Sequence, residues 1–522
     1  MTRAERAATM SQADVVALLE SHDALTEAYS RVTAEHEALR RQLEWLKRQV
    51  FGPKSERRVP FPREQLTLGE GMLETPATAA EPTVPIRPHQ RRRFQTPAKT
   101  GESGIRFDSS VPVKVIEVRN PELDDLPAGS YTTIREVVTE RLVQKPSSFE
   151  VYRYVRKVVK REDGTLTCPP APPAVLERCL ADVSLLANLV MDKVRYHLPL
   201  YRQHQRMAAA GVHLSRGTLT NWFHGTAELL VPIHEAQMDS ILESNVLLMD
   251  ETPIRAGPGK KKGRMKTGYF WPILGDRDEV AFPFAPTRGH RVVIETLGEF
   301  SGTLVTDGYA AYDRYAERVS GLVHAQCWAH TRRNFVEAEP SEPALCGRVL
   351  DLIATLYKHE ATIQGWEDGK RQVYRAEHAK PVVDRIFEEL KQAFADRILL
   401  PKSPFTQAAN YALEREAALR VFLENPRVPV DTNAVEREIR PVAVGRKNWL
   451  FSWTEVGAQS IGILQSLIST CRLQGVDPYT YLVDVLQRID SHPQSRVHQL
   501  TPRLWKRHFA ANPLRSPADP RQ

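Results

Sequence analysis

Two aspartates follow short apolar runs in this chain, and their carboxylates are the first candidates for chemistry. Asp250 ends the run Leu247–Met249, and Asp307 ends the run Leu304–Thr306. A short apolar run bounded by polar residues is typical of a buried strand. A carboxylate at the end of such a strand must be solvated, paired or bound to metal, because an unpaired buried charge is costly. Two strand-end aspartates on one sheet therefore predict a divalent-metal site.

A third carboxylate could come from a helix late in the chain. Glu436 is the favoured candidate, although the residues alone leave Asp431 and Glu438 open, and Asp431 could instead cap the helix. Phosphoryl transfer on DNA by two metal ions needs carboxylates that hold the ions about 3.5–4 Å apart. Mg²⁺ prefers hard oxygen ligands, so Asp and Glu suit it. The rivals near the first two positions are Glu251 and Asp313.

The elements around these carboxylates predict a mixed αβ domain. We expect strands at 246–249, 267–274, 279–284, 303–306 and 322–326, with a helix at 291–297 before the fourth strand. Three antiparallel strands, a helix, a parallel strand with a second Asp and a late helix with Glu follow the order of a ribonuclease-H-like domain. The helical pattern from 343 to 423 separates the late helix from the sheet.

The N-terminal region predicts an oligomer. Leu18, Leu25, Val32, Leu39 and Leu46 recur every seventh residue in a stretch without Pro or Gly. A seam with this period is typical of a coiled coil, although a long helix packed on its own chain is the alternative. A proline-rich linker follows, and β-branched and aromatic runs at 111–118, 132–143 and 149–159 then predict a small β module.

A helix-turn-helix is predicted between the β module and the αβ domain. Residues 198–210 are helical in pattern, a turn with Gly211 follows, and Ser215 is a good N-cap for a second short helix. Many helix hairpins of this shape never touch DNA. Four residues of the second helix could meet bases or phosphates: Arg216, Thr218, Thr220 and Asn221.

Composition narrows the class of partner. The net charge is +7, from 71 Lys and Arg against 64 Asp and Glu, which favours a polyanionic partner. Five scattered cysteines argue against a disulfide framework and for a reducing compartment. No apolar run approaches a membrane span. We expect a cytoplasmic protein without a membrane partner.

Basic residues that could neutralise DNA phosphates are Lys260, Lys261, Lys262, Arg332, Arg333, Arg437, Arg446 and Lys447.

These motifs together resemble the insertion sequence 66 family of transposases, the TnpC type of DDE recombinase. The stretches that carry the resemblance are Val50–Glu56, His197–Arg202, Asp250–Pro253, Thr306–Tyr309, Cys327–Arg333, Asn433–Arg437 and Gly445–Phe451. The resemblance implies that Asp250, Asp307 and Glu436 are the catalytic triad and hold two Mg²⁺ or Mn²⁺ ions. It also implies double-stranded DNA as partner and accessory proteins from the same element.

Two details of the motifs bear on metals. Cys327 and His330 form a Cys-x-x-His pair, which is too small for a metal site by itself; the resemblance suggests that this pair shapes the active site. The family usually carries a four-cysteine zinc ribbon before the helix-turn-helix. Here only Cys168 remains near the second cysteine pair, so zinc binding is not expected.

The expected fold is multidomain α+β. Its predicted parts are a coiled-coil helix (11–51), a linker (52–108), a small, degenerate zinc-ribbon-like β module (109–175), a helix-turn-helix region (180–240), a first catalytic-core segment (241–335), a helical insertion (336–428), a second core segment (429–490) and a tail (491–522). The expected function is a DNA transposase that cleaves element ends and joins the 3′-hydroxyl to target DNA. The alternatives are a non-catalytic, domesticated DNA-binding relative and a nuclease of the same fold.

Overall fold

The computed structural model describes residues 11–51, 105–124, 131–145, 148–177, 179–259, 264–396, 399–449, 452 and 454–517. The chain divides into two compact units, Met1–Lys99 and Thr100–Gln522. Helices and several sheets are both present, so the predicted mixed α+β class is confirmed. None of the helices in the described ranges is long and apolar enough to cross a membrane.

The first unit is described as a single helix, α1 (Gln12–Phe51). Its sequence lacks the Pro and Gly that would interrupt it. Leu25, Tyr29 and Val32 are 70%, 75% and 59% exposed. A coiled coil buries such a row against a partner helix. The homo-oligomer itself stays a prediction, and the predicted linker lies mostly outside the described residues.

The second unit begins with the small β module. Its elements are β1 (Arg106–Phe107), β2 (Val113–Glu117), a 3₁₀ turn (Pro121–Leu123), β3 (Tyr131–Lys145), β4 (Ser148–Arg161) and β5 (Leu166–Thr167). The long strands β3 and β4 pair antiparallel, while β2 pairs parallel to β4. Leu142 and Val151 are fully buried in the core that the module shares with the following helices. Cys168 is exposed and free.

Helices then lead to the αβ sheet. They are α2 (Val183–Val190) with a π turn (Met191–Arg195), α3 (Leu200–Ala209), the short strand β6 (Val212–His213), α4 (Arg216–Leu229) and α5 (Val231–Leu242). Ser215 caps α4, because its Oγ accepts from the Thr218 backbone N–H at 3.0 Å. Helix α4 is 14 residues long, longer than predicted, since Trp222 and Phe223 extend its buried face.

The central sheet holds the strand-end aspartates. The strands are β7 (Val246–Met249), β8 (Thr252–Pro258), β9 (Met265–Phe270), β10 (Ile273–Gly275), β11 (Val280–Ala281), β12 (Phe284–Ala285), β13 (Thr303–Thr306) and β14 (Val323–Gln326), with helices α6 (His290–Leu297) and α7 (Ala310–Arg318) between them. The five-stranded sheet has the order β11-β10-β7-β13-β14. Its first three strands are antiparallel, and β13 runs parallel to β7 and β14. All residues of β7 and β13 are buried, as expected for strands covered on both faces.

The remaining chain is helical. It comprises α8 (Trp328–Ala338), α9 (Pro343–Thr362), α10 (Asp368–Tyr374) with a π turn (Arg375–Ala379), α11 (Lys380–Asp396), α12 (Pro404–Glu414), α13 (Glu416–Glu424), α14 (Asn433–Trp449), α15 (Glu455–Leu473), α16 (Pro478–Arg488), a 3₁₀ turn (Gln494–Leu500) and α17 (Pro502–His508). Helix α15 packs closely against the sheet: a Cβ at Gly462 would lie 2.4 Å from the Phe282 carbonyl oxygen.

Candidate active site

The two strand-end aspartates lie at the same edge of the sheet. Asp250 follows β7 and Asp307 follows β13, and these strands are parallel neighbours with Leu248 opposite Val305. The carboxyl ends of parallel strands meet at one sheet edge, so the two side chains converge. The Asp307 carboxylate accepts a hydrogen bond from the Tyr309 backbone N–H at 2.9 Å, which orients it.

Three carboxylates meet at this edge. Asp250, Glu251 and Asp307 each offer an oxygen, and these oxygens all lie within 4.8 Å of one another. Burial and, to a smaller extent, the neighbouring carboxylates of Glu251, Asp307 and Glu436 together raise the pKa of Asp250 to about 7. Burial also raises the pKa of Glu251. Like charges at this separation favour a bound proton or cation.

Glu251 is already engaged within the protein. Its Oε1 accepts from the Arg288 Nε at 2.7 Å, and its Oε2 accepts from the Tyr312 hydroxyl at 2.7 Å. The Arg288 guanidinium lies over the Tyr309 ring, 4.0 Å from its centroid. Because both oxygens and the charge of Glu251 have partners, this carboxylate is less available to a metal than its neighbours.

Glu436 lies in the first turn of α14. It lines a cavity of about 290 Å³ that Asp250, Glu251 and Asp307 also line, and we call it the carboxylate cavity. It is not among the three carboxylates whose oxygens lie within 4.8 Å. Its Oε1 lies 3.4 Å from the Thr432 hydroxyl and 4.0 Å from His330 Nε2. Both contacts are long, and among the described residues no shorter ion pair to the Glu436 carboxylate is found. Asp431 caps the helix start, accepting from the Asn433 N–H at 3.0 Å.

Cys327 connects β13, which precedes Asp307, to the start of α14, which carries Glu436. Its backbone N–H donates to the Thr306 carbonyl at 3.1 Å, next to Asp307. Its sulfur accepts from the Thr432 N–H at 3.3 Å and from the Thr432 hydroxyl at 3.2 Å. Thr432 in turn contacts Glu436. The predicted Cys-x-x-His motif is therefore beside the cavity, with the Cys327 sulfur buried and His330 lining the cavity wall.

The cavity residues fit a divalent metal. All of the converging ligand atoms are carboxylate oxygens, which Mg²⁺ and Mn²⁺ prefer. Within the described part of the chain, this is the group of His, Cys, Asp and Glu residues whose ligand atoms are close enough to hold an ion. The raised pKa of Asp250 is what an acidic cluster shows before a cation neutralises it.

The predicted basic residues are dispersed. Arg333 lines the carboxylate cavity, and Arg332, Arg437 and Lys447 are exposed. Arg446 is instead tied to β8, donating to the Thr252 hydroxyl at 2.9 Å and the Pro253 carbonyl at 2.6 Å. Lys260, Lys261 and Lys262 lie outside the described residues.

The four predicted residues of α4 also differ from one another. Arg216 and Asn221 are exposed. The Thr218 hydroxyl hydrogen-bonds Ser215 at 2.9 Å, and the Thr220 hydroxyl donates to the Arg216 carbonyl at 2.9 Å. The two threonines thus contribute to the helix itself, while Arg216 and Asn221 are the freer candidates for DNA contact.

Arg288 and Tyr312 are site residues that sequence reasoning missed. Arg288 is 37 positions from Glu251 and Tyr312 is 61 positions away. Neither residue belongs to a motif that points to the carboxylates. The one available signal was that Glu251 beside Asp250 would need a counter-charge if it were buried.

Comparison with known proteins identifies the family. The family model "Transposase IS66 family" matches residues 178–460, "IS66 C-terminal element" matches 466–503, and "Transposase C of IS166 homeodomain" matches 38–103. The chain is 31% identical over 492 residues to the uncharacterized protein y4jD of Sinorhizobium fredii, covering 90% of this chain and 94% of that protein. It is 29% identical over 503 residues to y4hP of the same organism, also uncharacterized, covering 91% and 90%. These matches cover the carboxylate cavity and both helices of the predicted helix-turn-helix, and the chain belongs to the IS66 family of transposases.

Proposed function

We propose that this protein is a DDE-type DNA transposase that cleaves the ends of an insertion element and joins the freed 3′-hydroxyl to target DNA. The observation that carries the proposal is that Asp250, Asp307 and Glu436 line one cavity although they are far apart in sequence. Membership of the transposase family supports the same activity. The strand order β11-β10-β7-β13-β14, with two parallel strands after three antiparallel ones, supports a ribonuclease-H-like core.

Asp250, Asp307 and Glu436 would hold two Mg²⁺ or Mn²⁺ ions. Such ions, when bound, activate the attacking oxygen and stabilise the leaving oxygen of a phosphodiester. The raised pKa of Asp250 favours its protonated form in the metal-free cavity, and Asp250 would lose this proton when a metal ion binds. Arg288 would keep Glu251 charge-matched and oriented against Tyr312, so that Glu251 supports the site from behind. Arg333, on the cavity wall, would contact a DNA phosphate.

Several parts of the chain would contact DNA. The family match supports DNA binding in general. We assign contacts to Arg216 and Asn221 on α4, to Arg332 and Arg437 beside the cavity residues Arg333 and Glu436, and to Lys447 in the last turn of α14. Helix α1 would pair two copies through its exposed apolar row, because a coiled coil buries such a row against a partner helix.

The test is strand cleavage and joining by the full chain on a plasmid that carries the two ends of its element. We expect nicked and joined products in Mg²⁺ or Mn²⁺, and neither product in EDTA. Asp307→Asn should lose both products. Asp313→Asn is the matched control, because Asp313 lies outside the cavity and pairs with His324 at 3.5 Å.

The products also separate the alternatives. Cleavage without joined product would indicate a nuclease of the same fold. Specific binding without any cleavage would indicate a DNA-binding relative that has lost catalysis. Full activity in Asp307→Asn would remove the basis for the carboxylate assignment.

A further inference from the structure

A second cavity, of about 430 Å³, lies between the helix-turn-helix and the C-terminal end of α14. We call it the aromatic cavity and define it by the aromatic residues Tyr201, Phe223 and Trp449 and the cations Lys193 and Arg216. None of its described lining residues is Asp or Glu. Its chemistry is therefore the reverse of the carboxylate cavity: flat apolar rings, positive charge and no acid to balance that charge.

Lys193 is the most unusual residue of the aromatic cavity. Its amine lies 5.4 Å from the centroid of the Phe223 ring and 5.3 Å from that of Trp449. It forms no ion pair or hydrogen bond with any residue in the described ranges. Burial lowers the pKa of Lys193 to about 8. The two ring faces attract this cation, but an anion would neutralise its charge, which the rings do not.

Trp449 supplies a second unmatched group. Its indole N–H is buried and has no hydrogen-bond partner in the described structure. The indole packs directly on Gly445, where a Cβ would lie 2.4 Å from Trp449 Cζ2. Only glycine leaves room for the ring in this position. Gly445 thus lets the indole lie where its N–H has no acceptor. A buried N–H without an acceptor costs free energy unless a ligand supplies the acceptor.

The aromatic cavity is distinct from the carboxylate cavity, but helix α14 contributes a residue to each. Glu436 and Trp449 lie 13 residues apart on α14, roughly 20 Å at the helical rise per residue. Arg216 and Thr220, two of the residues expected to contact DNA, line its wall. A strand running between α4 and the carboxylates would therefore pass near its mouth.

We propose that the aromatic cavity binds one unstacked nucleotide of the DNA substrate, with the base against the aromatic wall and the phosphate beside Lys193 and Arg216. This inference rests on the proposed function, because it takes DNA to be the substrate. Aromatic rings stack on any base, whereas the indole N–H needs an acceptor, which base edges provide. The excess of positive charge suits a phosphate.

The test measures binding of the full chain to two labelled duplexes by fluorescence anisotropy in EDTA, so that no cleavage is required. One duplex is the fully paired end of the element, and the other has the same sequence with one extra, unpaired thymine. We expect the second to bind about tenfold more tightly, which is the effect of one base–aromatic stacking contact. Trp449→Ala and Tyr201→Ala should each weaken binding of the unpaired-base duplex more than binding of the paired duplex, and so reduce this preference.

Three further variants keep the test decisive. Trp449→Phe keeps a ring and should retain most of the preference, which guards against a folding defect in the alanine variant. Lys193→Met should weaken binding of the unpaired-base duplex more than that of the paired duplex. Trp366→Ala is the matched control, because Trp366 is a 40% exposed tryptophan elsewhere in the chain and should change nothing.

Two results would overturn the inference. Equal binding of both duplexes by the wild-type chain would remove it and leave the transposase proposal standing. A preference that survives both Trp449→Ala and Tyr201→Ala would also remove it, because the unpaired base would then bind elsewhere. Failure to bind either duplex would instead contradict the proposed function as well.

Discussion

The two ends of α14 lie in cavities of opposite chemistry. At the N-terminal end, Glu436 joins a cluster of carboxylates, and burial raises the pKa of Asp250 to about 7. At the C-terminal end, Trp449 joins cations without acidic partners, and burial lowers the pKa of Lys193 to about 8. In both cavities burial disfavours the charged form, and a bound counter-ion would restore it.

One helix would thus serve two proposed ligands, a metal ion at its N-terminal end and a nucleotide at its C-terminal end. A helix favours negative charge at its N-terminus and positive charge at its C-terminus, as found here. The carboxylate cavity suits divalent cations, and the aromatic cavity suits a nucleotide. If the two are independent, damage at one end of α14 should leave the other end working.

The largest effect is expected from Glu436→Gln. Glutamine keeps the shape but removes the charge that would hold a metal ion, so cleavage should fall about a thousandfold or more. Glu251→Gln should cost only about 10–100-fold, because it weakens the hydrogen bonds to Arg288 and Tyr312 rather than a metal contact. Single-turnover cleavage assays on element ends measure both.

The same Glu436→Gln protein should keep its preference for an unpaired base, because the aromatic cavity is roughly 20 Å away along the helix. Loss of that preference would show that the two cavities are coupled. A smaller cleavage defect in Glu436→Gln than in Glu251→Gln would exchange the roles proposed for these two carboxylates.

A smaller effect is expected from Cys327→Ala. The change leaves the buried Thr432 N–H without its sulfur acceptor, which costs about 1–3 kcal/mol. The melting temperature should fall by about 2–4 °C per kcal/mol. Because Thr432 also contacts Glu436, cleavage should fall by up to about a hundredfold through misplacement.

Cys327→Ser is the matched variant, since its hydroxyl can still accept from Thr432. It should recover most of the stability and much of the cleavage rate. If Cys327→Ala cleaved at the wild-type rate despite a lower melting temperature, Cys327 would be a packing residue without a positioning role.

The smallest effect is the pH dependence of metal binding. The pKa of Asp250 is raised in the fold, so its contribution to stability is full below about pH 4 and is lost as pH rises through about 7. Metal binding needs the deprotonated carboxylate, so apparent Mg²⁺ affinity should fall about tenfold per pH unit below 7.

At equal concentration, Mg²⁺ should therefore raise the melting temperature more at pH 8 than at pH 6. Asp250→Asn should remove this difference, and Lys193→Met should keep it, since Lys193 lies in the other cavity. Equal stabilisation by Mg²⁺ at the two pH values would argue that Asp250 does not bind the ion.

Much of the fold followed from local patterns. The apolar runs before Asp250 and Asp307 predicted β7 and β13, because a buried strand needs only a few consecutive apolar residues. Ser215 marked the start of α4 through its capping chemistry. The length of α4 could not be predicted as well, because Trp222 and Phe223 bury against distant parts of the chain.

The sequence by itself determined the residue types at the candidate site and the elements that carry them, because both depend on short-range spacing. It also determined the family, through different motifs that are spread along the chain. Only the tertiary structure decided that Glu251 is held by Arg288 and Tyr312, and that Lys193 and Trp449 share a cavity without an acid. These contacts join residues tens to hundreds of positions apart, and their burial and pairing depend on packing that no local pattern records.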